Sequence, residues 1–288
     1  MRAYAPWLKT GSTMIGAQVG KILESKHPKY PVDRKIHGYF GWRTHTVVNP
    51  DESASKEQIM KDKPYLLPDF GHLPSSLAVG MLGMPGNTAY FGFMDICKPQ
   101  EGETAVVSTA AGAVGMHVGQ LAKIHGLQVI GITGSDAKCK WVVDDLGFDH
   151  AINYKTQDVS AALKEAAPKG FDCYFDNVGG NISTSVIYQM KLGGRIAVCG
   201  STSSYNSPSL PKTSILQPAI VFKQLRMEGF VVTRYGDRWF EGIEKNMGWI
   251  KEGKLKYRET VTHGFENMYN AFLGLLRGEN IGKAVVKA

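Results

Sequence analysis

The 288-residue chain is poor in cysteine: Cys97, Cys139, Cys173 and Cys199 are the only four, far apart and never as Cys-x-x-Cys. That spacing argues against a disulfide framework and a cysteine zinc knuckle. The eight histidines form no His-Glu-x-x-His and no paired spacing, so each reads as a surface or hydrogen-bonded core residue and no metal is expected. No apolar run approaches the roughly 18 residues that span a bilayer, and the opening MRAYAPWLKTGS lacks the apolar core of a secretory signal. A cytosolic protein with no membrane partner is expected. Clustered charge is missing too: 33 basic against 26 acidic side chains leave +7, but they are scattered, and the densest basic group, Lys61 to Lys63, is interrupted by Asp62. No nucleic-acid partner is expected from such a surface, which suits small anionic ligands better.

What is present is enough apolar material, 43% of residues, for two domains at roughly 100–200 residues each, or one large one. From Thr104 onward short β-branched runs alternate with amphipathic stretches: Thr104 to Thr109, Gln128 to Thr133, Ala151 to Tyr154, Phe171 to Val178, Gly194 to Gly200 and Met227 to Val232. Six runs separated by helical spans, among them Ala113 to His125 and Asp136 to Leu146, predict an α/β fold with a doubly wound parallel sheet. A helix over Asp237 to Lys251 carries Phe240, Ile243, Met247 and Ile250 at helical spacing, a stripe expected to be core. Residues before about 85 lack the alternation. Their strand candidates, Ala17 to Leu23, Ile36 to Phe40 and Arg43 to Val48, are broken by prolines, which predicts a second, β-rich domain. The tail from Arg258 has a strand-like run, a helix from Phe265 to Leu276 and a last run Lys283 to Lys287, and could return to the first domain.

Ala110-Ala-Gly-Ala-Val-Gly115 follows the first run and opens a helix. A dinucleotide pyrophosphate needs backbone N–H groups at a helix N-terminus and a close approach that no side chain obstructs. Gly112 permits the approach and Gly115 permits tight helix-to-strand packing. At the end of the second run, where an NAD site usually carries an acidic residue, the chain reads Gly134-Ser-Asp-Ala-Lys138. Ser135 can donate to a phosphate and Lys138 lies one helical turn on, which favours NADPH; Asp136 complicates this but equally suits a helix cap. Tyr154 stacks near the adenosine or is a boundary aromatic. Asn177 ends the fourth run, at the carboxyl edge where open α/β sheets bind ligands, while Asp176 beside it could cap a helix. Tyr90 either lines a cleft or packs.

Met84-Pro-Gly-Asn-Thr-Ala-Tyr90, Ala110 to Gly115, Tyr174-Phe-Asp-Asn-Val-Gly-Gly180, Gly194-Arg-Ile-Ala-Val-Cys-Gly200 and the ending Asn280-Ile-Gly-Lys-Ala-Val-Val-Lys-Ala288 occur in this order along the chain. Together they resemble the prostaglandin reductase (leukotriene 12-hydroxydehydrogenase) family, zinc-independent members of the medium-chain dehydrogenase/reductase superfamily. Where zinc alcohol dehydrogenases of that superfamily carry Gly-His-Glu, this chain has Gly16-Ala17-Gln18. The resemblance implies a GroES-like substrate domain over residues 1–90, a Rossmann NADPH-binding domain over 91–257 and a segment, 258–288, returning to the substrate domain. It implies NADPH-dependent reduction of a carbon–carbon double bond conjugated to a carbonyl, in 15-oxo-prostaglandins, alkenals and enones, besides oxidation of a leukotriene hydroxyl, by a homodimer.

Residue by residue, the resemblance implies that Gly112, Ala113, Val114 and Gly115 hold the pyrophosphate, Lys138 and Tyr154 the adenosine end, and Asn177 the middle of the cofactor. Cys199, Gly200, Ser201, Thr202, Ser203, Ser204 and Tyr205, with Phe230, Val231, Val232 and Asn280, would flank the nicotinamide half. Tyr205 is the implied catalytic residue, since a phenol can donate to an oxyanion and stays neutral at pH 7. In the family, Met1-Arg2 matches an internal dipeptide preceded by Asp-Pro-Tyr. The expectation is therefore a substrate domain short of its first strands, either a fragment of an active enzyme or a short form with impaired catalysis.

Overall fold

The computed structural model describes residues 8–51, 63–205, 207, 212 and 214–288; Met1 and Arg2, and Lys61 and Asp62 of the basic group, lie outside them. The first part holds a small antiparallel sheet of β1 (Gln18–Lys21), β2 (Lys35–Gly38) and β3 (Tyr65–Leu66), with β2 in the middle. The third expected strand, Arg43 to Val48, is irregular. No strand among the described residues pairs with it and Val47 is fully exposed, so its apolar residues have no face to bury. Helix α1 (Met84–Phe91) follows and continues into a π-helical turn, Gly92–Cys97.

Strands β4 (Thr104–Ser108), β5 (Gln128–Thr133), β6 (His150–Asn153), β7 (Phe171–Asp176), β8 (Met190–Val198) and β9 (Arg226–Gly229) then form one parallel sheet in the order β6-β5-β4-β7-β8-β9. Helices α2 (Gly115–Ile124), α3 (Asp136–Asp144), α4 (Val159–Ala166), α5 (Gly180–Ile187) and α6 (Gln217–Phe222) make the crossovers. The side-chain period of two sorts each strand between two cores. Ala105, Val107, Cys173 and Phe175 join Val118 and Leu121 of α2 on one face, and Val106, Tyr174 and Ile196 join Leu163 and Val186 on the other. A sheet clad on both faces needs near-continuous apolar strands, which is why these runs were legible.

Helix α7 (Trp239–Lys251) returns across α1. Its buried face is Trp239, Gly242, Ile243 and Asn246, one residue round from the expected stripe. Phe240 is therefore about half exposed, edge-on to Tyr65, because Gly242 draws α1 against α7: a Cβ there would lie 2.3 Å from Asn87 Oδ1. Trp239, Ile243 and Val232 complete a third cluster with Leu67, Phe70, Leu77 and Leu82 of the first part. Finally β10 (Glu259–His263), α8 (Met268–Arg277) and β11 (Lys283–Lys287) form a parallel β-α-β unit. It touches the first part through Ser76, whose hydroxyl donates to Glu259 at 2.8 Å, and through Trp42 against Phe272. No helix among the described residues is long and apolar enough to cross a membrane.

Candidate active site at the switch point of the sheet

The strand order reverses between β4 and β7, and the crevice at their carboxyl ends is where such sheets take ligands. Both lips are built from sequence-predicted residues. On one side the chain leaves β4 through Thr109, in the left-handed region at φ 54, and enters α2. A Cβ on Gly115 would stand 2.2 Å from Thr109 O, and one on Gly112 2.9 Å from Thr109 Cγ2, so glycine alone lets the turn close. The N–H groups of Val114 and Gly115 find no acceptor among the described residues and sit at the positive end of the ten-residue α2. An anionic diphosphate fits this cradle.

On the other lip, Asn177 Nδ2 donates to Ser108 O at 2.7 Å and its own N–H donates to Ser108 Oγ at 2.8 Å. Ser108 thus fixes Asn177 across the switch point; the serine beside Thr109 at the close of the first run was the signal that sequence reading passed over. Asp176 does not cap α5, whose N-cap is Gly179; it closes the turn before the helix instead, its Oδ1 accepting from the N–H of Val178 and Gly179 and its Oδ2 from Ser183 Oγ in the first turn of α5.

The segment Cys199 to Tyr205 is stitched onto that lip. Cys199 and Gly200 N–H donate to Asp176 O, Thr202 N–H to Asn177 O, and Ser203 N–H and Oγ to Val178 O, while Ser201 and Ser204 join their hydroxyls at 2.9 Å. Tyr205 folds back so that its phenol oxygen accepts from Ser201 N–H at 3.2 Å. A Cβ on Gly200 would meet that oxygen at 2.8 Å. Burial, and then the Asp176 carboxylate, push the Cys199 thiol up to about 12, so it stays protonated and is no nucleophile at neutral pH.

Beyond the end of β5, Gly134 leaves room for the Tyr154 ring, whose nearest carbon would be 3.1 Å from a Cβ there. The cap of α3 is Ser135 and not Asp136 as the sequence suggested: the Ser135 Oγ accepts from Lys138 N–H, whereas the Asp136 carboxylate accepts from Asn153 Nδ2 at 2.7 Å. The Lys138 ammonium donates to Gly278 O, and burial, then the neighbouring Lys155, lower its proton affinity. Lys155, directly after Tyr154, is a second cation that the sequence reading missed.

The remaining expected contacts separate. Phe230 is buried against Phe175 and Tyr235, and Val232 in the third cluster, so only Val231 between them is exposed. Asn280 donates to Gly282 O, and Gly282 N–H in turn donates to Ala111 O, which brings the tail onto the glycine turn. Tyr90 packs: it lies against Phe91 and Trp249 and its hydroxyl donates to Glu241.

A glycine turn opening the helix after the first strand of a parallel sheet ordered this way defines a dinucleotide-binding α/β protein. Comparison with known proteins narrows the class. Residues 113–247 match the zinc-binding dehydrogenase family model and residues 1–55 the N-terminal domain of oxidoreductase. Prostaglandin reductase 1 of Bos taurus is 48% identical over all of this chain and 85% of its own length. The NADP(+)-dependent 2-alkenal reductase of Nicotiana tabacum is 42% identical over 99% of this chain and 80% of its own. Among solved structures, CurA of Vibrio vulnificus in complex with NADPH superposes with a TM-score of 0.89 at 37% identity, over 100% of this chain and 84% of that one. The chain belongs to the prostaglandin reductase family of zinc-independent medium-chain dehydrogenase/reductases.

The name of the first family model raises zinc, and the donor set does not fit it. Among the described residues no three His, Cys, Asp or Glu side chains converge.

Proposed function

We propose that this chain is an NADPH-dependent oxidoreductase that reduces the carbon–carbon double bond of α,β-unsaturated carbonyls, 15-oxo-prostaglandins and alkenals among them. The observation that carries this is the cradle at α2, facing Asn177 across the switch point, together with relatives named as prostaglandin and 2-alkenal reductases. Bound NADPH supplies a hydride to the carbon β to the carbonyl. The chain's part is to hold and polarise. Val114 and Gly115 N–H bind the pyrophosphate, with Gly112 and Ala113 shaping the turn; Lys138 and Tyr154 take the phosphorylated adenosine; Ser108 orients Asn177. The segment from Cys199 to Tyr205, with Phe230 to Val232 and Asn280, borders the reacting end.

Tyr205 is the catalytic donor in this reading. As the double bond is reduced, charge collects on the carbonyl oxygen as an enolate, and a preorganised O–H stabilises it. The Ser201 N–H on the phenol oxygen makes that phenol a stronger donor. The α-carbon then takes a proton from solvent or a hydroxyl. Residues 1–90 with 258–288 make the substrate side and 91–257 the cofactor side, a division supported by the Ser76–Glu259 and Trp42–Phe272 contacts. A homodimer through the β9 edge, beside the exposed Val221 and Phe222, and a cytosolic location belong to the same proposal. Purified protein given NADPH and an alkenal or 15-oxo-prostaglandin should consume NADPH absorbance; cofactor binding without oxidation by any enone would refute the reading.

A further inference from the structure

Lys138 reaches a residue 140 positions along the chain, placing its ammonium 2.6 Å from Gly278 O. Gly278 closes α8 in the left-handed conformation (φ 71, ψ 34), its N–H donating to Leu275 O while Glu279 N–H donates to Gly274 O. The last carbonyls of a helix lack partners within it and carry the negative end of its dipole, so a cation placed there is held twice over. Arg277, the basic residue of α8's own last turn, pairs with Glu279 instead. The charge that caps α8 therefore comes from the cofactor side.

The same short stretch is tied to the glycine turn that forms the pyrophosphate cradle. Gly282 N–H donates to Ala111 O at 2.8 Å, and Thr260 Oγ1 both donates to Ile281 O and accepts from Ile281 N–H. Residues 278–282 thus run from Lys138 to the glycine turn. An ammonium carries three donors; with one on Gly278 O, the other two remain for an anion, and their direction is set.

We infer that the carbonyl of Gly278 is the positioning group for Lys138, so that the end of α8 helps to decide preference for a 2′-phosphorylated dinucleotide over its unphosphorylated counterpart. This rests on the reading of Lys138 given above. Gly278 is a positioning residue, since it acts through Lys138 and touches no cofactor atom itself.

The test is binding by titration calorimetry with NADPH and with NADH, which needs no turnover. A Cβ at Gly278 would meet nothing within 4 Å, so a substitution there acts through the backbone. Gly278→Pro cannot hold φ 71 and must move the carbonyl, and it should cut the NADPH-over-NADH preference about five-fold. Gly278→Asn, which tolerates the left-handed conformation, should keep the preference. An unchanged preference in Gly278→Pro, or an equal loss in Gly278→Asn, overturns the inference; a wild-type protein with no preference overturns the reading of Lys138 instead. Should Gly278→Pro not fold, amide exchange in the wild type decides. The N–H groups of Gly278 and Glu279 should gain more protection from saturating NADPH than from saturating NADH, and equal protection overturns the inference.

Discussion

Strand β4 is buried at every residue and β1 at none. The six-stranded sheet supplies its own interior, with helices on both faces and large side chains such as Phe171, Tyr174 and Phe175 wholly enclosed. The small sheet has no such interior. The cluster beneath it is completed by Val232, Trp239 and Ile243, which come from beyond β9. Apart from Met81 and Ala89, the buried apolar cores of the large sheet come from beyond residue 90, whereas the first part holds its shape through α7.

That contrast is most exposed to core truncation. Phe175→Ala should cost about 3–5 kcal/mol and Leu77→Ala about 2–5 kcal/mol. Because the third cluster is shared with α7, both should lower the same urea transition. Two separate transitions in the wild type, with only the first moved by Leu77→Ala, would break the comparison.

Each half also buries a histidine in its neutral form. His117 in α2, bonded to Asn246, and His37 in β2, stacked on Tyr65, are both pushed down to about 4 by burial. An unfolded histidine takes its proton near pH 6.5. Between 6.5 and 4 the unfolded chain holds the extra proton, so stability falls as pH drops through that window. For His117 the loss should approach roughly 3 kcal/mol. Urea midpoints at pH 7 and pH 4.5 measure it, and a flat profile would show that neither site is as dry as its packing indicates.

The loop that carries Tyr205 is bonded to the cofactor side, so a change there should alter chemistry without loosening the substrate side. Tyr205→Phe should lower kcat about 100-fold while the NADPH dissociation constant stays within about two-fold. An unchanged kcat removes Tyr205 from the donor role. The smallest effect is expected where the two halves meet at the surface: Phe240→Ser should change stability by less than about 0.5 kcal/mol, although its spacing suggested a core residue. A loss several times larger would mean that its contact with Tyr65 is part of the shared interior.

Legibility followed burial. The runs that became β4, β5 and β7 were readable because strands enclosed on both sides must be largely apolar, rich in β-branched residues in β4 and β5 and in aromatic ones in β7. The glycine turn was readable because Gly112 and Gly115 obey a steric demand written into a few consecutive residues. Arg43 to Val48 had the composition of a strand, but a strand exists only with a neighbour to bond, and no local pattern reports one. Phe240 went wrong for a related reason. Helical spacing defines a stripe to within about one residue, and the approach of α1 at Gly242 chose which side of that stripe was buried.

The amino-acid sequence by itself determined the doubly wound sheet, the glycine turn and the family, since each depends on residues close in the chain or on motifs in a set order. Only the tertiary structure decided that Ser108 holds Asn177, that Ser201 supports Tyr205 through its N–H, and that Lys138 rests on the end of α8. Those contacts depend on where backbone N–H and C=O groups come to lie. Every residue carries such groups, so no residue type marks them in advance.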